Sequence, residues 1–166
     1  AASRIAVTRD SLAIDSLELR AEHGLGRLRA EGSFPLAGVG DFVLHADSVP
    51  LADAYAIAQR DTVGVGGSLV LNVHVAGPGA SPAMEIQASL DNGRFGEFRA
   101  PRLEVLGRYV DRRLWFKGGL WRDSTRVVGA RGSLPIDLAL TDVARRQLPD
   151  SLQIAINSDS VDLAVV

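Results

Sequence analysis

Gly67-Ser-Leu-Val-Leu-Asn-Val-His-Val-Ala-Gly77, the turn Pro78-Gly-Ala-Ser-Pro82 and the return run Ala83-Met-Glu-Ile-Gln-Ala-Ser-Leu90 decide the fold. Leu69, Leu71, Val73 and Val75 recur at every second position, as do Met84, Ile86, Ala88 and Leu90. Asn72, His74, Glu85, Gln87 and Ser89 fall between them. A period of two over that length predicts two antiparallel strands with one oily face and one wet face.

Outward from that hairpin the same pattern repeats. Arg4–Thr8 and Ser11–Glu22 read as strands, with Leu17 and Leu19 opposing Glu18 and Arg20. His23-Gly-Leu-Gly26 reads as a turn. Leu28, Ala30, Gly32 and Phe34 alternate with charged and small polar residues until Pro35, which lacks the donor a ladder needs. Asp41–Val49 carries Phe42, Leu44 and Ala46 on one face. Beyond the hairpin, Asp91-Asn-Gly93 reads as a turn, followed by shorter strands over Gly93–Phe98, Pro101–Val110 (with Leu103 and Val105) and Arg112–Leu120 (with Leu114 and Phe116). Ser124–Gly132 and Asp150–Asn157 complete the set, the latter with Leu152, Ile154 and Ile156 facing one way.

Helix signal is sparse. Asp47-Ser-Val-Pro50 supplies a cap at Ser48 or Asp47 and a first-turn proline, and Leu51, Ala54, Tyr55 and Ala58 follow at helical spacing. That predicts one short helix near 50–60. Thr141–Gln147 predicts one or two further helical turns. The expectation is an all-β chain: one long antiparallel sheet rolled into an open, U-shaped trough.

The bulk numbers exclude several functions. A chain of 166 residues holds one domain with a real core. Net charge is −2, which leaves no electrostatic footprint for nucleic acid. Cysteine is absent, removing disulfides, thiol catalysis and thiolate metal sites. No run approaches the roughly 18 apolar residues of a spanning helix. The N-terminus has no signal-peptide pattern. Both ends break into alternating runs, so we expect a segment of a longer repeated array, 1–166, with no second domain. An internal echo supports repetition: Gly32-Ser-Phe-Pro-Leu36 returns as Gly132-Ser-Leu-Pro-Ile136, and Asp47-Ser-Val-Pro-Leu-Ala52 as Asp159-Ser-Val-Asp-Leu-Ala164.

Chemistry-bearing motifs are missing. Gly64-Val-Gly-Gly67 precedes a strand, whereas phosphate-cradling glycines follow one and open a helix; these glycines predict a bend or bulge. His23, His45 and His74 lack metal-ligand spacing and read as solvated side chains. No Gly-x-Ser-x-Gly elbow is present. Asp111-Arg-Arg113 and Arg145-Arg146 read as solvated turn residues. Trp115 falls on the face opposite Leu114 and Phe116, which predicts a bulge, a second buried contact or an aromatic at a partner surface. Neither catalytic residue nor metal site nor cofactor is expected.

Four stretches carry a family resemblance: Pro50-Leu-Ala-Asp-Ala-Tyr-Ala56; Gly66–Gly77 with Pro82–Gly93; Gly107-Arg-Tyr109 with Leu114–Lys117; and Gly132-Ser-Leu-Pro-Ile136. Over roughly Val49–Ile136 the chain resembles the TamB-type translocation and assembly proteins, of the AsmA-like and bridge-like lipid-transfer group. The resemblance implies a β-taco with an apolar inside, located in the periplasm and bridging inner and outer membranes. It implies transport of phospholipid, a part in outer-membrane protein assembly, and no catalytic motif. It also implies an inner-membrane anchor and contact with a BamA-like assembly protein, both through regions outside this segment.

The residues support the same function without the family. An open trough needs an oily guest, and burying each CH2 of an acyl chain is worth about 0.8 kcal/mol. The expected lining is Leu17, Leu19, Leu28, Phe42, Leu44, Leu69, Leu71, Val73, Val75, Met84, Ile86, Leu90, Leu103, Val105, Leu114, Phe116, Leu152, Ile154 and Ile156. Two alternatives stand beside the conduit. One is an assembly scaffold or chaperone that pairs client strands with open sheet edges near Ile5 and Val161–Val166. The other is a closed barrel or sandwich that binds or spaces. Self-association through cut ends or edges is also expected.

Overall fold

A computed structural model describes residues 4–7, 11–20, 26–35, 38–57 and 63–158. Ten strands form one antiparallel sheet whose spatial order is the order of the chain. They are β1 (Arg4–Val7), β2 (Ser11–Arg20), β3 (Arg27–Pro35), β4 (Val39–Pro50), β5 (Val65–Pro78), β6 (Ala83–Phe95), β7 (Phe98–Val110), β8 (Arg113–Arg122), β9 (Thr125–Pro135) and β10 (Gln153–Ser158). The sheet stays open, since β1 and β10 do not pair. That removes the closed-barrel alternative. One helix, α1 (Leu51–Ile57), sits between β4 and β5 and packs against those two strands.

The central hairpin follows the alternation. Leu69, Leu71, Val73 and Val75 pair across β5–β6 with Leu90, Ala88, Ile86 and Met84. Ser81 N–H donates to Pro78 O at 2.9 Å and closes the connecting turn. Pro35 ends β3 as expected. Asp111 and Arg112, with φ of 51° and 60°, make the two-residue turn between β7 and β8; positive φ at both central positions matches the right-handed strand twist.

Three expectations fail. Asp91-Asn-Gly93 is not a turn: β6 runs on to Phe95 and the chain reverses at Gly96–Glu97, so the expected short pieces merge into long β6 and β7. Asn92 still adopts the left-handed conformation its type favours, at φ 52°, but within a strand. Asp47 and Ser48 do not cap α1. They lie inside β4, where Ser48 takes φ 52° and its hydroxyl donates to Asp47 Oδ1 at 2.9 Å. Thr141–Gln147 forms no helix but an irregular strap across one margin of the sheet.

Register irregularities explain how long strands bend. Residues 47–48 of β4 oppose Val70 alone, residues 92–93 of β6 oppose Gly67 alone, and Val127 is an extra residue in β9. All three flank one rank of paired residues, Val49–Leu69–Leu90–Leu103–Leu120–Val128. Bulges bend a strand and raise its twist, so a row of them creases the sheet along that rank. Gly67, at φ 119°, fulfils the bend expected of the Gly64–Gly67 run.

Candidate functional site: the apolar face

Strand pairing gathers the alternating apolar residues into ranks that cross the sheet. One rank is Leu17–Ala30–Leu44–Val73–Ile86–Gly107–Phe116–Gly132–Ile154. Beside it runs Leu19–Leu28–Ala46–Leu71–Ala88–Val105–Gly118–Ala130–Ile156. The margins are the creased rank and a fourth, Gly32–Phe42–Val75–Met84–Tyr109–Leu114–Leu134. Eighteen of the nineteen residues expected to line a trough therefore share one face. Leu152 precedes β10 and has no registered partner.

Burial is mixed along the face. Among marginal residues Val49, Leu90, Val75 and Tyr109 are buried and Phe42, Leu69, Met84, Leu103 and Leu114 half-buried; Ala30 and Ala46 of the middle ranks are buried. In the two middle ranks Leu17, Leu28, Leu44, Leu71, Val73, Ile86, Val105 and Phe116 are only half-buried, and Leu19 is exposed. No second sheet or helical layer lies over these ranks among the described residues. On β10 the face is barer still, with Ile156 72% exposed.

Small residues shape the floor. Phe116 pairs with Gly107 on one side and Gly132 on the other. A Cβ at Gly132 would lie 2.8 Å from Phe116 Cζ, so the absent side chain leaves the ring its place.

The strap covers one margin. Ile136 N–H donates to Arg112 O at 3.1 Å, Leu140 N–H to Gly79 O at 2.8 Å and Leu138 N–H to the Tyr109 hydroxyl at 2.8 Å. These bonds tie the stretch after β9 to the β7–β8 and β5–β6 turns. Arg146 Nη1 donates to Asp137 O at 3.2 Å and Ala139 O at 2.8 Å, and Arg112 pairs with Asp137 at 3.2 Å. Arg146 is thus a staple of the strap, not the solvated turn residue its sequence neighbourhood predicts. Arg113 also departs from that expectation: it donates to Ser133 Oγ at 3.1 Å and Asp150 at 3.3 Å, and lies 5.8 Å from the Trp115 ring centroid.

The opposite face is polar. His45 Nδ1 bonds Asn72 Oδ1 across β4–β5, so this histidine is half-buried and partnered. His74 is exposed, 3.2 Å from Asp41. Arg20 donates to Glu18 at 3.1 Å, and this hydrogen bond holds the Glu18 carboxyl below the ordinary range; desolvation opposes it, and the charges of Arg20, Arg29 and Arg27 add to the lowering. Among the described residues no three His, Cys, Asp or Glu side chains gather as a metal site would need. His23 and Val161–Val166 lie outside the described residues. Trp115 is 49% exposed on this polar face and no register shift occurs at it, so it sits at neither a bulge nor a second buried contact.

Sequence reasoning missed Tyr109 and the strap. Its signal for Tyr109 was present, since the residue continues the alternation of Leu103 and Val105. No helix among the described residues is long and apolar enough to cross a membrane. No protein-family model, curated protein or solved structure matches this chain.

Proposed function

We propose that the apolar face is a non-enzymatic conduit for hydrocarbon, carrying phospholipid acyl chains along the sheet while headgroups stay in water. The carrying observation is the pair of middle ranks, continuous over nine strands from β2 to β10, whose large apolar side chains are half-buried or exposed with no second sheet over them among the described residues. A packed core would bury these side chains; a face left partly wet gains from an oily guest at about 0.8 kcal/mol per CH2. The lining supplies no hydrogen-bonding group at its centre to hold a guest in one place, which favours sliding. A strap along one margin and large apolar side chains left partly bare along the middle ranks suit a tail lying along the ranks. In the bacterial envelope, as the sequence resemblance implies, such a segment would span part of the periplasm in an inner-membrane-anchored protein serving outer-membrane biogenesis.

Native mass spectrometry of the purified protein tests this. Co-purified phospholipid, displaced by added lipid, supports the conduit. A protein that stays lipid-free after incubation with phospholipid refutes it.

A second reading rests on β10. Its outer edge is unpaired among the described residues, and Ile154 and Ile156 are exposed there. An open edge can accept a client strand, as an outer-membrane protein scaffold would need. Proline at Ile154 or Ala155, one of which directs its N–H outward, should abolish client binding; unchanged binding by both removes this reading.

A further inference from the structure

The polar face carries a groove that the hydrocarbon conduit does not use. Two adjoining hollows of about 730 and 760 Å³ lie over β7–β10 and share Leu106, Lys117, Arg131 and Ala155. Those four residues form a rank across the sheet, Leu106–Lys117–Arg131–Ala155. Trp115 borders one hollow and Trp121 the other.

Lys117 and Arg131 sit directly opposite each other on β8 and β9. Like charges in that position repel, and sheets ordinarily avoid them. Neither forms an ion pair among the described residues. Lys117 is also the chain's only lysine. The nearby charges do not relieve the pair. Arg126 and Arg108 line the same hollows and add positive charge, the latter with Glu85 opposite it on β6. Glu104 is the one carboxylate lining either hollow, and Arg102 holds it at 2.6 Å. Asp150 is engaged by Arg113.

Apolar surface adjoins this uncompensated pair. Leu106 is 42% exposed and Trp115 49% exposed, although both face the wet side. At the far end the Trp121 Nε1 is buried with no hydrogen-bond partner among the described residues. Two facing cations, flanked by a bare leucine and an indole, in a hollow of small-molecule size fit a compact ligand with an anionic head and an oily body. An acidic peptide would be better matched by an extended basic track; within the two hollows only this rank places two cations side by side, while the opposed pairs Arg20–Arg27 and Arg94–Arg99 lie elsewhere on the sheet.

We propose that the β7–β10 groove binds a soluble anionic amphiphile, its phosphate or carboxylate head between Lys117 and Arg131 and its apolar body against Leu106 and Trp115. The four shared residues alternate with the conduit ranks and so fall on the other face, although Phe116, Ile154 and Ile156 of those ranks also border the hollows.

Octyl phosphate, kept below micelle formation and titrated while tryptophan fluorescence is followed, tests the proposal. A saturable change is expected, lost in Trp115→Phe. The double variant Lys117→Gln/Arg131→Gln should weaken binding about tenfold or more, since charge-assisted hydrogen bonds are removed. Leu71→Asp, on the conduit face, should leave this affinity unchanged, so failure of one site is distinguishable from failure of the other. Circular dichroism checks that each variant folds. Absence of saturation, or binding insensitive to the double substitution, overturns the proposal. So does equal affinity for inorganic phosphate, tighter binding of hexaglutamate, or sedimentation with phosphatidylglycerol vesicles that depends on Lys117 and Arg131.

Discussion

Phe116 and Gly132 face each other across β8 and β9, and the ring occupies the space a side chain at Gly132 would fill. The same missing Cβ would lie 2.1 Å from Gln153 O of β10. Gly132→Ala therefore drives a methyl into both a ring and a neighbouring backbone. We expect a loss of about 1–3 kcal/mol, the range of overpacked sites, in urea denaturation. Amide exchange should rise first in β10, the strand the methyl pushes away.

Tyr109 is 1% exposed, and its hydroxyl accepts the Leu138 N–H at 2.8 Å. Tyr109→Phe keeps the ring and orphans that donor. The expected cost is about 1–3 kcal/mol, the penalty of an unsatisfied buried group. Hydrogen exchange at Leu138 and Ala139 should accelerate, while β5 and β6 amides keep their protection.

Leu71 and Ile86 lie in the two half-buried ranks. Replacing either with Asp places a carboxylate where a hydrocarbon tail would run. Phospholipid transfer between vesicles should fall about tenfold or more, because one buried unpaired charge outweighs several CH2 groups. Far-ultraviolet circular dichroism should remain that of a folded sheet. Collapse of the fold in both variants would show that these side chains form an ordinary core and would end the conduit reading.

Glu18 titrates below the ordinary glutamate range, first because Arg20 donates a hydrogen bond to it. Its folded value is depressed, so whatever stability it lends is present above the ordinary range and disappears as pH falls through the lowered one. In an NMR titration of the side-chain carboxyl, Arg20→Gln should move the midpoint up. An unmoved midpoint would mean that the other guanidinium groups near it, on Arg27 and Arg29, do the holding.

Much of this architecture was legible because period-two alternation is a direct record of a two-faced sheet. Leu69, Leu71, Val73 and Val75 could be placed on one face from spacing alone, and pairing with β6 follows from the Pro78–Pro82 turn. Turn chemistry misled at Asp91–Gly93, because Asn and Gly tolerate the left-handed backbone equally in a turn and in a bulge. Asp47 and Ser48 misled for a related reason: residues that cap helices also suit irregular strand positions. The strap was invisible because its bonds are long-range. Leu138 to Tyr109, Leu140 to Gly79 and Arg112 to Asp137 join residues whose spacing carries no period. The β7–β10 groove escaped for a different reason. Lys117 and Arg131 become neighbours only once the β8–β9 register is known.

The spatial sequence of strands repeats their order along the chain without a single crossover. Each strand can therefore zip onto the one before it as soon as both are available, with no wait for a distant partner, and short loop closures make that assembly fast. A polypeptide threaded end-first into its compartment could lay down this sheet progressively. At every stage the exposed hazard would be one growing edge, not a collapsed and half-sorted core.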